Sequence, residues 1–170
     1  MIFKRMLKSS IMKRRYIIIL IAAVIGFTII SGYTVQFDRI GNKYAENFGR
    51  VLGSYDISKV DNYLDKDTVI FCKGKKEKYS ELRGNIIQAF KSKKFKLSDT
   101  SSYGSGSGRF LSNLQEINVE FHVQKDFQER PKGDNLAILE IERKGINMYK
   151  IKSIKSEASF IEQLFFGEAT

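Results

Sequence analysis

The reactive side chains of this sequence are few, and their spacing limits what they can do together. His122 is the only histidine, so a metal centre built on several imidazoles is not expected within one chain. It falls on the face opposite Phe121 and Val123, toward solvent, and no Ser-His-Asp triad is expected around it. Cys72 is the only cysteine, so no intrachain disulfide can form and no CxxC partner exists. A buried, small apolar role is expected for it. Gly104-Ser-Gly-Ser-Gly108 has the composition of a phosphate cradle without the context. A phosphate loop needs a strand before, a helix after and usually a lysine, whereas Arg109-Phe110 leads into strand-like sequence. The segment reads as a hairpin loop. No cofactor and no metal is expected.

The net charge of +10 would suggest nucleic acid were it spread over the chain. It is not. Lys4, Arg5, Lys8, Lys13, Arg14 and Arg15 supply six of the charges, and residues 16–170 hold 23 basic against 19 acidic residues. The excess is a topology signal and an attraction to anionic headgroups, and no nucleic-acid partner is expected. Beyond the N-terminus the densest basic stretches are KGKKEK (73–78) and KSKKFK (91–96). Both read as solvated turn and helix-end charge, with contact to lipid headgroups or wall polymers as the functional alternative.

These residues are positioned by a chain whose organising feature is Tyr16 to Val35, YIIILIAAVIGFTIISGYTV, without one charge. As a helix, Ile17–Val35 would reach ~28 Å, close to the hydrocarbon thickness of a bilayer. Basic residues precede it, and Gln36 and Asp38 follow, which places the N-terminus in the cytoplasm and the remainder outside. The expected organisation is a cytoplasmic basic tail over 1–15, a transmembrane helix or uncleaved signal anchor over 16–35, and one extracytoplasmic domain over 36–170. A cleaved signal peptide is the competing reading, but an A-x-A-like site is missing. No cysteine follows the apolar run to take a lipid.

Residues 36–53 place Phe37, Ile40, Tyr44, Ala45, Phe48, Val51 and Leu52 at a 3.6-residue period, an amphipathic helix. Asp56 can cap a short helix over ISKVDNYL, and Asp65-Lys66-Asp67 reads as a turn. Thr68–Cys72 is a strand by composition, Lys78-Tyr79 a brief partner strand, and Ser80 the cap of a helix over ELRGNIIQAFKS. From Lys94 to Ser156 the period becomes two. Strands are expected from Phe95 toward Tyr103, over LQEINVEFHVQ, over Leu136–Glu142 and over Tyr149–Ser156. The segment ERPKGDN is a loop, Lys144–Asn147 a tight turn, and ASFIEQLFFG a short apolar helix covering one end of the sheet. Short connections favour antiparallel neighbours. The fold class is α+β, an N-terminal transmembrane helix followed by helices packed on a curved antiparallel sheet.

That order, with NFGRVLGSYDISKVDNYLDKDTVIF and the ending MYKIKSIKSEASFIEQLFFG, resembles the NTF2-like, cystatin-like cone superfamily over about residues 37–157. Within it the chain looks most like the exported, single-anchor bacterial members. The resemblance implies a cone of helices on a curved sheet, and it allows a homodimer through the outer sheet face. Isomerase and epoxide-hydrolase members place Asp, Tyr or Arg inside the cone, where desolvation tunes an acid. Here the inward positions of the meander are Ile117, Val119, Phe121, Val123, Ala137, Leu139 and Ile141, all apolar. No catalytic residue carries over.

The expected function is therefore a non-catalytic, membrane-anchored binding or assembly module of the bacterial envelope, on the cell membrane with the C-terminal domain outside. Its expected partners are membrane lipid through the N-terminal helix, an envelope protein or small apolar ligand, and a second copy. Tyr44, Phe48, Tyr63, Phe90 and Phe121 are the candidate lining of a pocket, with a plain core role as the alternative. Two further readings are a VirB8-like secretion or conjugation scaffold and a SnoaL-like cyclase or isomerase.

Overall fold

A computed structural model describes residues 2–92, 96–104, 113–125, 128–129, 135–145 and 148–167. The expected loops at 105–110 and 130–134, the tip of the 144–147 turn, and Phe95 lie outside the described residues. The chain divides into two compact units, Met1–Phe37 and Asp38–Thr170.

The first unit is helix. α1 (Ile2–Gly53) supplies it and continues into the second unit. Side chains of the apolar run are described over 16–28. Tyr16, Ile17, Ile18, Ile19, Leu20, Ile21, Val24, Ile25 and Phe27 are each 52–74% exposed. Successive residues of a helix point ~100° apart, so apolar surface faces outward on every side. Among the described residues, no helix is long and apolar enough to cross a membrane.

The second unit is an α+β cone. After α1 come α2 (Ile57–Asp61), β1 (Leu64–Cys72), β2 (Lys75–Lys78), α3 (Tyr79–Ser92), β3 (Lys96–Gly104) and β4 (Leu114–Lys125). The chain closes with β5 (Gln128–Glu129), β6 (Leu136–Gly145), β7 (Met148–Ser156) and α4 (Ser159–Phe166). The strands lie in the order β2-β1-β7-β6-β4-β3, with β5 on β4. As expected, Asp56 caps α2, accepting a hydrogen bond from the Ser58 N–H. The turn before β2 is the two-residue Lys73-Gly74, both at positive φ (48° and 79°), the geometry that matches strand twist in a tight hairpin.

Three expectations need correction. The sheet is mixed: β1 runs parallel to β7, with Ile70 beside Ile154. These strands are far apart in sequence, so no short connection dictates their direction. Asp65-Lys66-Asp67 is part of β1, which has a register irregularity between Leu64 and Val69. There the Thr68 hydroxyl accepts from the Asp65 N–H (2.9 Å) and donates to the Ile151 carbonyl (2.7 Å), supplying the bonds that a turn would otherwise provide. The brief strand before α3 is Lys75–Lys78, and Tyr79 begins the helix.

The inward positions of β4 and β6 form the core as their alternation predicts: Ile117, Val119, Phe121, Val123, Ala137, Leu139 and Ile141 are all buried. α4 buries Phe160, Ile161, Leu164 and Phe165. The stretch of α1 over this sheet carries Gly41, Ala45, Gly49 and Gly53, one per turn on one face. A Cβ on Gly49 would lie 2.6 Å from the Thr100 Cβ, and one on Gly41 2.9 Å from the Gln115 Cδ and the Ile117 Cδ1. Small residues there let the helix backbone settle onto β3 and β4.

Candidate functional site

The five aromatic residues chosen as a pocket lining do not stay together. Phe48 and Phe121 are fully buried, and Phe90 nearly so. Phe90 meets Tyr55 edge-on at 5.7 Å between centroids, and Phe121 meets Phe160 at 5.7 Å. Tyr44, Phe48 and Tyr63 do converge: Tyr44 lies 4.7 Å and Phe48 5.6 Å from the Tyr63 ring. Tyr149, which the sequence did not single out, completes the group at 5.8 Å from Tyr44. The Tyr44 hydroxyl donates to the Tyr149 carbonyl at 2.8 Å. Burial, then the neighbouring Tyr63 and Asp65, push the Tyr44 hydroxyl well above the ordinary tyrosine range. It is a fixed donor, not a base.

Around these rings run two ion-pair clusters. Arg83 donates through Nε and Nη2 to the two oxygens of Asp61, at 2.9 and 2.8 Å, while the Tyr79 hydroxyl donates to Oδ1 at 2.6 Å. The Arg83 guanidinium above all, then Tyr79, hold the Asp61 carboxyl below its usual range, against partial burial that would raise it. Asp65 takes Lys144 at 2.7 Å and Lys150 at 3.2 Å, and the Lys144 hydrogen bond leads in lowering its pKa. The cluster ties α2 and β1 to α3 and to the β6–β7 hairpin. Both carboxylates stay ionised at neutral pH, the opposite of an acid tuned to hold a proton.

The remaining candidates fall elsewhere. His122 is on the outer sheet face, as its alternation predicts, but half-buried, with Nε2 3.2 Å from the Ser101 Oγ. Cys72 is buried, its thiol pushed up by burial and directed at the Ala158 carbonyl. The basic hairpin Lys73–Lys78 lies where β1 ends, beside Ser156 and α4. Lys73 and Lys75 each reach Glu162 at 2.9 Å. Gly41 and Tyr44, at the other end, sit beside the starts of β4 and β7. The hairpin is thus roughly 26 Å, the length of β7 from Met148 to Ser156, from the end of the cone at which Gly41 and Tyr44 pack. Of KSKKFK, residues 93–95 lie outside the described residues, and Lys96 opens β3 at the same far end, opposite Gln124.

The outer face of the sheet carries the other feature missed in sequence. Leu136 and Ile138 are each 39% exposed on β6. Register sets Glu120 beside Leu136, and Asn118 and Lys155 beside Ile138. Glu116, Glu120, Glu140 and Glu142 occupy β4 and β6, whereas Lys152 and Lys155 are on β7 and Lys76 and Lys78 on β2. The alternation identified the face, but the order of strands that segregates its charges was not readable from single segments.

No protein-family model and no curated protein matches the chain. Solved structures do. A domain of unknown function with a cystatin-like fold from Nostoc punctiforme PCC 73102 aligns at TM-score 0.52 and 13% identity, covering 76% of this chain and 83% of that one. A conserved protein from Planctomyces limnophilus DSM 3776 aligns at TM-score 0.51 and 10% identity, over 74% of this chain and 96% of that one. An NTF2-like protein from Cytophaga hutchinsonii ATCC 33406 aligns at TM-score 0.45 and 12% identity, over 64% and 87%.

Proposed function

We propose that this chain, which has the NTF2-like, cystatin-like cone fold, is a membrane-anchored assembly module of the bacterial envelope that works without catalysis. The observation that carries the reading is the helix of nine large apolar side chains exposed on every side between Tyr16 and Phe27. Water does not tolerate such a surface, and a bilayer does. Residues 16–35 then form the span, with the basic residues before it cytoplasmic and the 36–170 region outside.

The cone itself favours assembly over turnover. Its inward sheet positions are apolar and packed, and its partly buried acids, Asp61 and Asp65, are committed to cations. The surface suited to a partner is the outer sheet face. Leu136 and Ile138 are on β6, the strand at which an acidic half on β4 and β6 meets a basic half on β7 and β2. A second copy turned by a two-fold axis sets each acidic half against a basic one.

Carbonate extraction of membranes and labelling of intact cells test the anchor. The expected result is a chain retained in the membrane with Lys76, exposed on β2, accessible from outside; release by carbonate, or a Lys76 reached only after lysis, sinks it. Ile138→Lys tests assembly. It leaves the fold intact and abolishes crosslinking between copies, and unchanged crosslinking counts against this face.

A further inference from the structure

We infer that the end of the cone at which α1 enters rests on anionic phospholipid headgroups, with Met148 as the apolar contact and Arg143, Lys144 and Lys150 around it. The inference depends on the anchor proposed above. Gly41 packs against Gln115 at the start of β4 and Tyr44 against Tyr149 at the start of β7, so the start of β7 and the finish of β6 share this end. Gly41 follows Val35 by six positions. Whatever the path of the chain between them, Gly41 lies within about 21 Å of Val35.

The composition of this end suits a headgroup layer. Met148 is 63% exposed, more than any other large apolar side chain described in the 38–170 unit. Arg143 and Lys144 finish β6, and Lys150 follows Met148 on β7. Among the described residues, five cations at this end, Arg83, Arg143, Lys144, Lys150 and Lys152, outnumber the three acids they surround, Asp61, Asp65 and Glu142, so a positive excess remains although Lys144 and Lys150 both reach Asp65. Long basic side chains can lay their stems along the apolar boundary with their charge among phosphates, and a thioether enters that boundary readily. Tyr44, Tyr63 and Tyr149 stand half-buried behind them, residues that favour a layer between oil and water. The basic stretches read from sequence, 73–78 and 91–96, fall at the opposite end and do not make this contact.

The full chain, labelled with an environment-sensitive fluorophore at Met148→Cys or at Lys76→Cys, tests this in vesicles carrying nitroxide lipids with the spin label at headgroup depth. Cys72 remains buried in the core and does not compete for label. Phosphatidylglycerol mixed with phosphatidylcholine is compared with phosphatidylcholine alone. The expected result is quenching at 148 at least about twice that at 76, and stronger with phosphatidylglycerol, because headgroup attraction fades within a Debye length. Equal quenching at the two positions in a chain that floats with the vesicles overturns the headgroup contact and leaves the anchor standing. Quenching at 148 that ignores phosphatidylglycerol overturns the anionic assignment. A chain that fails to float removes the anchor and this inference together.

Discussion

Asp61 shows how a single side chain fixes the junction between α2 and α3. Its two oxygens take three hydrogen bonds, two from Arg83 and one from Tyr79. Folding lowers its pKa, so the unfolded chain takes up the proton first as pH falls. The stabilisation is complete above the unfolded value of about 4 and is lost as pH drops through the lower folded value. Asp61→Asn is therefore expected to reduce the urea midpoint at pH 7, with the gap to the wild type closing as the pH falls below the unfolded value. Urea titrations across that range check it, and a constant difference at every pH argues against an ionic contribution. Little of this pair was legible beforehand, because Asp61 and Arg83 are brought together by tertiary packing and share no local pattern. Cys72 was legible, since its place in a β-branched, aromatic strand already implied burial.

At the scale of elements, periodicity was a good guide wherever one face met the core. The seven inward positions of β4 and β6, and the four buried residues of α4, follow from alternation and from helical spacing alone. The guide failed where polar residues were satisfied at long range. Asp65-Lys66-Asp67 has the composition of a turn, yet Thr68 and the β6–β7 lysines supply partners that let it continue as strand. The glycines of α1 were equally silent as sequence. Gly49→Val is expected to cost about 1–3 kcal/mol, because the new side chain meets the stiff Thr100 Cβ and the helix must lift. Gly84→Ala in α3 meets nothing within 4 Å and is expected to gain up to about 1 kcal/mol from helix propensity. Thermal or urea unfolding of the two variants distinguishes a packing glycine from a tolerated one. Phe165→Ala, which empties a fully buried site in α4, is expected to cost about 3–5 kcal/mol.

For the molecule as a whole, the class of fold was readable and the strand order was not. A helix, a short helix, a hairpin, a third helix and a meander give an α+β cone on layer arguments alone. Placing the final strand in the middle of the sheet required knowing that β7 pairs with β1 as well as β6. The expected cone interior of aromatic residues was likewise only half legible. Spacing put Tyr44 and Phe48 on one helix face, but Tyr149 joins them from a strand a hundred residues away. A chain ending at Gly145 lacks that central strand and is expected to give no cooperative unfolding transition. Circular dichroism on heating checks this, and a sharp transition in the shortened chain would assign the stability to the meander alone.

The parallel pairing of β7 with β1 also has a consequence in time. Within the described sheet, β7 is the only bridge between the β1–β2 hairpin and the β3–β6 strands. Synthesis therefore delivers two unconnected half-sheets, and they can join only after Met148–Ser156 has emerged. Contacts so distant along the chain slow the final closure. If the chain is exported from its N-terminus, the body stays loose enough to be threaded until β7 arrives, and it locks shut on the far side.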